Sequence, residues 1–187
     1  MPDRPGESTF VYVTYIRTTP ERLWAALTGP AFAEQYWMGM RPESDWTPGA
    51  PWRLVRPDGT VTDVGEVLEA EPGRRLVLRW RNEFVPELTA EGYSRCIMEI
   101  EPAKGAANGQ AAVGGAGDAV KLTVTHTIER DPLHPSRFIA AVSGGWPQVL
   151  SNLKSLLETG AAVLGPRPQG EAGATTRPAA RPAGQPA

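Results

Sequence analysis

The sequence predicts an α+β fold of the helix-grip type: a curved antiparallel β-sheet wrapped around one long C-terminal helix, with two short helices after the first strand. Three observations support this prediction: an amphipathic stretch at residues 136–160, a series of short β-rich runs before it, and helix-start residues directly after the first run. Tight turns separate the runs, and short connections favour antiparallel pairing. Such a sheet, with one solvated face, needs an apolar partner for its other face, and the long helix supplies it.

The amphipathic stretch carries apolar residues at steps of three and four, which places them on one face of a helix. These residues are Phe138, Val142, Trp146, Val149, Leu153, Leu156 and Leu157. A helix of this length spans roughly 35 Å at about 1.5 Å per residue. Pro147, which follows Gly144 and Gly145, removes one helical hydrogen bond and clashes with the preceding turn. We expect one kinked helix; the alternative is a helix that begins at Pro147.

The first strand is predicted at residues 10–17, which are dense in β-branched and aromatic side chains. Thr19 and Pro20 then match the preferences of a helix N-cap and of the first helical position. Gly29 and Pro30 end this helix and begin a second short one. The two helices therefore form a compact insertion directly after the first strand.

Further strands are predicted near residues 40–46, 51–56, 61–70, 74–83, 93–101 and 119–130, separated by turns rich in Gly and Pro. Residues 84–92 are expected to be a looser segment. The last strand alternates, with Val120, Leu122, Val124, His126 and Ile128 on one face and Lys121, Thr123, Thr125, Thr127 and Glu129 on the other. One face of the sheet is therefore expected to be buried and the other wet.

The domain built from these elements is predicted to cover residues 9–165. Residues 1–8 are polar and are expected to be flexible. Residues 104–118 are rich in Gly and Ala and contain no phosphate-binding glycine motif, so a flexible loop is expected. Residues 166–187 contain five prolines and no aromatic or branched aliphatic residue, which predicts a disordered tail.

Composition argues against several classes of function. The chain has 187 residues and a net charge of −2 with dispersed basic residues, which argues against nucleic acid and anionic membrane surfaces as partners. The single cysteine, Cys96, allows no internal disulfide and favours a reducing compartment. No signal-peptide core and no run of ~20 apolar residues is present, so we expect a soluble, cytoplasmic protein without membrane insertion.

Five segments carry a resemblance to a known family: residues 19–37, 44–54, 65–80, 120–128 and 143–160. They resemble the bacterial proteins related to the activator of Hsp90 ATPase, within the START-like (SRPBCC, polyketide cyclase, Bet v 1-like) superfamily. The resemblance covers about residues 9–160. The Gly-Trp pair near the start of the terminal helix, followed by spaced leucines, is its most specific part. It implies an apolar cavity between the sheet and the terminal helix that often takes a hydrophobic small molecule.

His126 is the best single candidate for a catalytic or ligand-orienting residue, because it lies on the apolar face of the last strand between Val124 and Ile128. A histidine there is suited to act as a general base or to orient the polar end of a ligand. The alternative is a partly buried histidine bonded to a neighbour's backbone. Cys96 is interpreted as a small core residue. Two histidines and one cysteine form no recognised metal-ligand set, so no metal and no cofactor is expected.

Further residues are predicted to line the cavity because they fall on inward faces of their elements. An inward Glu66, alternating with Val64 and Leu68, would need a hydrogen-bond donor or a raised pKa. The complete set of predicted ligand-binding residues is Trp37, Glu66, Trp80, Asn82, His126, Phe138, Val142, Trp146 and Val149.

Three functional hypotheses follow. The first is a non-enzymatic module that binds a hydrophobic small molecule, lipid-like or aromatic, under the terminal helix. The second is an enzyme of the cyclase or hydrolase type that uses His126 with Glu66 or Asn82. The third is an interaction module whose partner is a chaperone, with a homodimer also open as an alternative.

Overall fold

The computed structural model describes residues 9–103, 119–129 and 136–164. The segments predicted to be flexible or disordered, residues 1–8, 104–118 and 166–187, lie outside the described residues. Helices and strands follow the order β1 (Thr9–Ile16), α1 (Pro20–Thr28), α2 (Pro30–Tyr36), β2 (Arg41–Ser44), β3 (Pro51–Val55), β4 (Val61–Glu71), β5 (Arg75–Asn82), α3 (Pro86–Thr89), β6 (Ser94–Pro102), β7 (Val120–Ile128) and α4 (Arg137–Thr159).

The seven described strands form one antiparallel sheet in the order β1-β7-β6-β5-β4-β3-β2. Each strand from β3 to β7 pairs with the one before it in sequence, whereas β1 pairs with β7 and β2 forms the opposite edge of the sheet. The long helix α4 packs across the inner face, which is the predicted α+β helix-grip fold. One expectation was wrong: the segment at 84–92 contains the short helix α3, which begins where Asn82 Oδ1 accepts hydrogen bonds from the backbone N–H groups of Phe84 (3.1 Å) and Val85 (2.8 Å).

Helix α4 runs without interruption from Arg137 to Thr159, with Pro147 inside it, so the expectation of one helix is confirmed. The hydroxyl of Ser136 caps its first turn by accepting a hydrogen bond from the backbone N–H of Ile139 (3.0 Å). A second anchor is Glu91, whose carboxylate accepts hydrogen bonds from the Ser136 hydroxyl and from the backbone N–H of Arg137 (2.7 Å). A negative charge at this position also complements the positive end of the helix dipole.

The two halves of α4 have different neighbours. Leu150 and Leu153 in its C-terminal half are buried in the main core with Ile16 and Leu122. The N-terminal half, from Phe138 to Val149, instead lies along a cavity. The cavity therefore lies under the first half of the helix.

Candidate functional site

A cavity of about 220 Å³ lies between the N-terminal half of α4 and strands β3, β4 and β5. Its lining also includes the turn after α2 and the short helix α3. The lining residues are Trp37, Met38, Met40, Leu54, Asp63, Trp80, Asn82, Leu88, Phe138, Ala141, Val142, Gly145, Trp146 and Val149. Seven of the nine predicted ligand-binding residues are among them, and the two that are not are Glu66 and His126.

Three tryptophans from three different elements form one wall of the cavity. Trp37 caps the C-terminus of α2, Trp80 comes from β5 and Trp146 from α4. Their ring centroids lie 5.4 Å apart for Trp37 and Trp146, 6.2 Å for Trp37 and Trp80, and 6.0 Å for Trp80 and Trp146. Aromatic rings at these separations attract one another and offer a large, rigid apolar surface.

Among the described residues, Asp63 is the one ionisable side chain that lines the cavity, and it was not predicted from the sequence. Its Oδ1 accepts hydrogen bonds from Trp80 Nε1 and from Asn82 Nδ2, both at 2.9 Å. Burial raises the pKa of the Asp63 carboxyl, and the hydrogen bonds from Trp80 and Asn82 offset part of this effect. The cavity therefore joins an apolar surface to the buried carboxyl group of Asp63.

Glu66 does not point into the cavity, which corrects the prediction. It is exposed on the outer face of the sheet, where it lines a separate groove with Arg53 and Arg79. The inner face of β4 is instead formed by Asp63, Gly65 and Val67. The apolar residues Val64 and Leu68, which alternate with Glu66, suggested that this face of β4 is the inner one. The true inner face carries an aspartate and a glycine, so it shows no apolar pattern.

Gly65 is required where it stands, because the neighbouring strand and an indole lie directly against it. A Cβ atom built there would lie 1.7 Å from the Arg79 carbonyl oxygen and 2.6 Å from Trp52 Nε1. Trp52 Nε1 donates to that same carbonyl at 2.8 Å, across the position where a side chain would stand. Asp63 and Val67 lie on the same face of β4 as Gly65, which pairs with the inward Trp80. A glycine between two alternate residues of a strand is therefore the signal from which the inward position of Asp63 could have been predicted.

His126 lies behind the tryptophan wall and is completely buried. Trp146 Nε1 donates a hydrogen bond to His126 Nδ1 at 3.2 Å, so Nε2 carries the proton of the neutral ring. His126 Nε2 lies 2.8 Å from Ser94 Oγ, and that hydroxyl in turn donates to the Trp80 carbonyl at 3.1 Å. Burial lowers the pKa of His126 to about 3, so the ring is neutral near pH 7.

The network leaves His126 without the features of a general base. Both of its ring nitrogens are engaged, and it is not among the residues that line the cavity. Its partners are two side chains, Ser94 and Trp146, and not a neighbour's backbone as the alternative interpretation expected. His126 is therefore held between Ser94 and Trp146 outside the cavity lining, which is not the position that the sequence predicted for it.

The two glycines of α4 differ in their surroundings. Gly145 lines the cavity, whereas Gly144 is exposed to solvent. A Cβ atom at either position would have no heavy atom within 4 Å apart from its chain neighbours and the local helix backbone. Of the two, only Gly145 therefore adds space to the cavity.

Within the described residues, no group of three or more His, Cys, Asp or Glu side chains could hold a metal ion. Cys96 is completely buried, as expected for a core residue, and burial raises the pKa of its thiol. In that same part of the chain, no helix is both long and apolar enough to cross a membrane.

Solved structures share this architecture along most of the chain. A protein from Mesorhizobium loti has 25% sequence identity and a TM-score of 0.60, with 80% of this chain and 96% of that chain covered. An Hsp90 activator from Plasmodium falciparum has 20% identity and a TM-score of 0.60, covering 80% and 96%. The Aha1 dimer from Colwellia psychrerythraea has 16% identity and a TM-score of 0.59, covering 81% and 97%.

No curated protein sequence matches the chain significantly. A family model described as "Activator of Hsp90 ATPase homolog 1-like protein" matches residues 17–158, which is most of the chain. This match runs from before α1 to the penultimate residue of α4 and confirms the resemblance to START-like proteins. The chain belongs to the family of Activator of Hsp90 ATPase homolog 1-like proteins.

Proposed function

We propose that the protein binds a hydrophobic small molecule in the cavity between the sheet and the N-terminal half of α4. The observation that carries this proposal is the cavity lining, in which three indole rings and several aliphatic side chains surround two polar groups, Asp63 and Asn82. Few polar groups in an apolar cleft is the usual composition of small-molecule sites, because apolar contacts supply affinity and the polar groups fix orientation.

The size of the cavity limits the ligand. Its volume of about 220 Å³ is below the ~300–1,000 Å³ that is typical of sites for drug-sized ligands. A single aromatic ring system or a short alkyl chain suits this volume better than a two-chain lipid. Met38, which lines the cavity, is 62% exposed, so the cavity opens to solvent on this side. The half-buried Trp37 beside it is a fluorescent group that a bound ligand would contact.

The test is direct binding of small neutral probes, namely 2-phenylethanol, naphthalene and 1-octanol. We expect saturable, one-site binding with a change in tryptophan fluorescence, and a one-to-one complex in native mass spectrometry. The variant Trp146→Phe keeps an aromatic surface but alters the fluorescence response. Absence of saturable binding by all three probes would refute the proposal.

A second candidate function, an interaction module for a chaperone, is favoured by the family description and by a groove on the opposite face of the sheet. This outer groove, of about 420 Å³, is lined by side chains of both charges, including Glu43, Arg53, Glu66 and Arg79. The Arg79 guanidinium lies 3.9 Å from the ring centre of Tyr93, which holds both side chains in place.

This second candidate makes a different prediction from small-molecule binding. Capture of an Hsp90-class chaperone should survive Gly145→Leu, which changes the cavity, and should be lost in Arg79→Glu, which changes the outer groove. Loss of capture in the first variant with retention in the second would contradict the role of the groove.

A further inference from the structure

The cavity contains a carboxyl group that its surroundings do not neutralise. Asp63 is 7% exposed, and no lysine, arginine or histidine is among the described residues that line the cavity. The nearby charge that acts on it is another carboxylate, Glu83, which disfavours its ionised form. A buried carboxylate with no cationic partner is costly, so a cation supplied from outside would find a strong electrostatic preference here.

The neutral hydrogen bonds at Asp63 orient the carboxyl group without supplying a charge. Both the Trp80 indole and the Asn82 amide donate to the same atom, Oδ1. Asn82 is itself held, because it lies directly across from Asp63 in the pairing of β4 with β5 and its Oδ1 caps the following turn. The carboxyl group is therefore fixed in place before any ligand arrives.

The aromatic wall favours the same class of ligand. Trp80 donates to Asp63 and also packs with Trp37 and Trp146, so the carboxyl group lies at the edge of a surface made of indole rings. Indole faces attract cations, and this attraction grows when water is displaced from both partners. A positive group beside Asp63 and an apolar body on the indoles would satisfy both parts of the cavity at once.

We propose that the cavity selects hydrophobic molecules that carry a protonated amine, with the ammonium group on Asp63 and the apolar part against the tryptophan wall. This inference rests on the proposed function, since it names the chemical class of ligand for the same cavity. It requires no metal and no chemical reaction. Neutral molecules of equal size also fit, but they leave the Asp63 charge without a partner.

The test compares three probes of similar size and different charge: 2-phenylethylamine, 2-phenylethanol and 3-phenylpropionate. We expect the wild-type protein to bind the amine roughly 10- to 100-fold more tightly than the alcohol, as charged hydrogen bonds allow. The carboxylate probe should bind least, because it meets Asp63 with a like charge. Isothermal titration at pH 7 measures all three dissociation constants.

Two variants separate the contribution of Asp63 from general electrostatic attraction. Asp63→Asn keeps an oxygen that accepts from Trp80 and Asn82, so the fold should persist, and we expect the preference for the amine to vanish. Glu66→Gln removes the same charge from the opposite face of the sheet and should leave the preference unchanged. Thermal unfolding of both variants checks that each remains folded.

The possible outcomes distinguish the two proposals. Equal binding of amine and alcohol by the wild-type protein would overturn the preference for amines and leave small-molecule binding intact. An unchanged preference in Asp63→Asn, or its loss in Glu66→Gln, would also overturn it. Failure of every probe to bind would refute small-molecule binding itself.

Discussion

Replacing Gly145 by leucine should block the cavity without harming the fold. Gly145 lines the cavity, and a Cβ atom there meets no heavy atom within 4 Å beyond its chain neighbours and the local helix backbone, so the new side chain has space to enter. Gly144→Leu is the matched control, because the preceding residue is exposed to solvent on the same helix. The two variants have the same composition and differ only in where the side chain points.

The magnitude follows from the apolar contact that a ligand would lose. Each buried methylene group is worth about 0.8 kcal/mol, so a leucine that displaces ligand from a comparable space removes about 3 kcal/mol of binding free energy. This corresponds to a loss of affinity of roughly 100-fold, since each 1.4 kcal/mol is a factor of ten. Leucine also has a higher helix propensity than glycine by roughly 0.8 kcal/mol, which favours folding in both variants.

Fluorescence titration with 2-phenylethanol measures the dissociation constants, and urea unfolding measures stability. We expect Gly145→Leu to lose binding and Gly144→Leu to bind as the wild type does, with neither variant less stable than the wild type. The reasoning is refuted if Gly145→Leu remains folded and binds with unchanged affinity, or if both variants lose binding equally.

Three further predictions concern stability. Because burial lowers the pKa of His126 to about 3, against 6.5 for an exposed histidine, the unfolded chain takes up a proton below pH 6.5 that the folded protein does not. The free energy of unfolding should therefore fall by up to about 1.4 kcal/mol per pH unit as the pH is lowered from 6.5 to 3. Urea unfolding at a series of pH values measures this pH dependence, which should be weaker in His126→Gln. The same pH dependence in the variant and the wild type would contradict the buried neutral ring. Glu91→Ala should cost about 1–2 kcal/mol in urea unfolding, because it removes the anchor at the start of α4, whereas the exposed Glu71→Ala should cost less than about 1 kcal/mol. Gly65→Ala should lower the melting temperature by several degrees, because its Cβ would overlap the Arg79 carbonyl oxygen; a wild-type melting temperature would show that β4 adapts there.

Much of the architecture could be predicted because it depends on local patterns. The alternation of residues 120–128 predicted which side chains face the core, and all five predicted inward residues are buried. Thr19 and Pro20 predicted the start of α1, where the Thr19 hydroxyl accepts from the backbone N–H of Arg22 at 3.3 Å. These features require only a few neighbouring residues, so a single segment is enough to reveal them.

The site was predicted in part, and the errors have physical causes. Trp37, Trp80 and Trp146 all line the cavity. Trp80 and Trp146 lie on the inward faces of β5 and α4, which have a clear period, whereas Trp37 lies at the end of α2. On β4 the period was misread, since an inner face formed by Asp63 and Gly65 shows no apolar alternation. Glu66 was therefore assigned to the wrong face, and Asp63 was overlooked.

By itself, the sequence determined the order of elements, the amphipathic face of α4 and the alternation of β7, because hydrophobic periodicity and capping are properties of consecutive residues. Only the tertiary structure decided that His126 is sealed between Ser94 and Trp146, and that Asp63 meets Trp80 and Asn82 at the edge of the cavity. Those contacts join residues from different strands and from α4, and they depend on strand register and helix placement that no single segment encodes. Helical spacing already puts Gly145, three residues after Val142 and four before Val149, on the apolar face of α4, but only the tertiary structure shows that a cavity lies there.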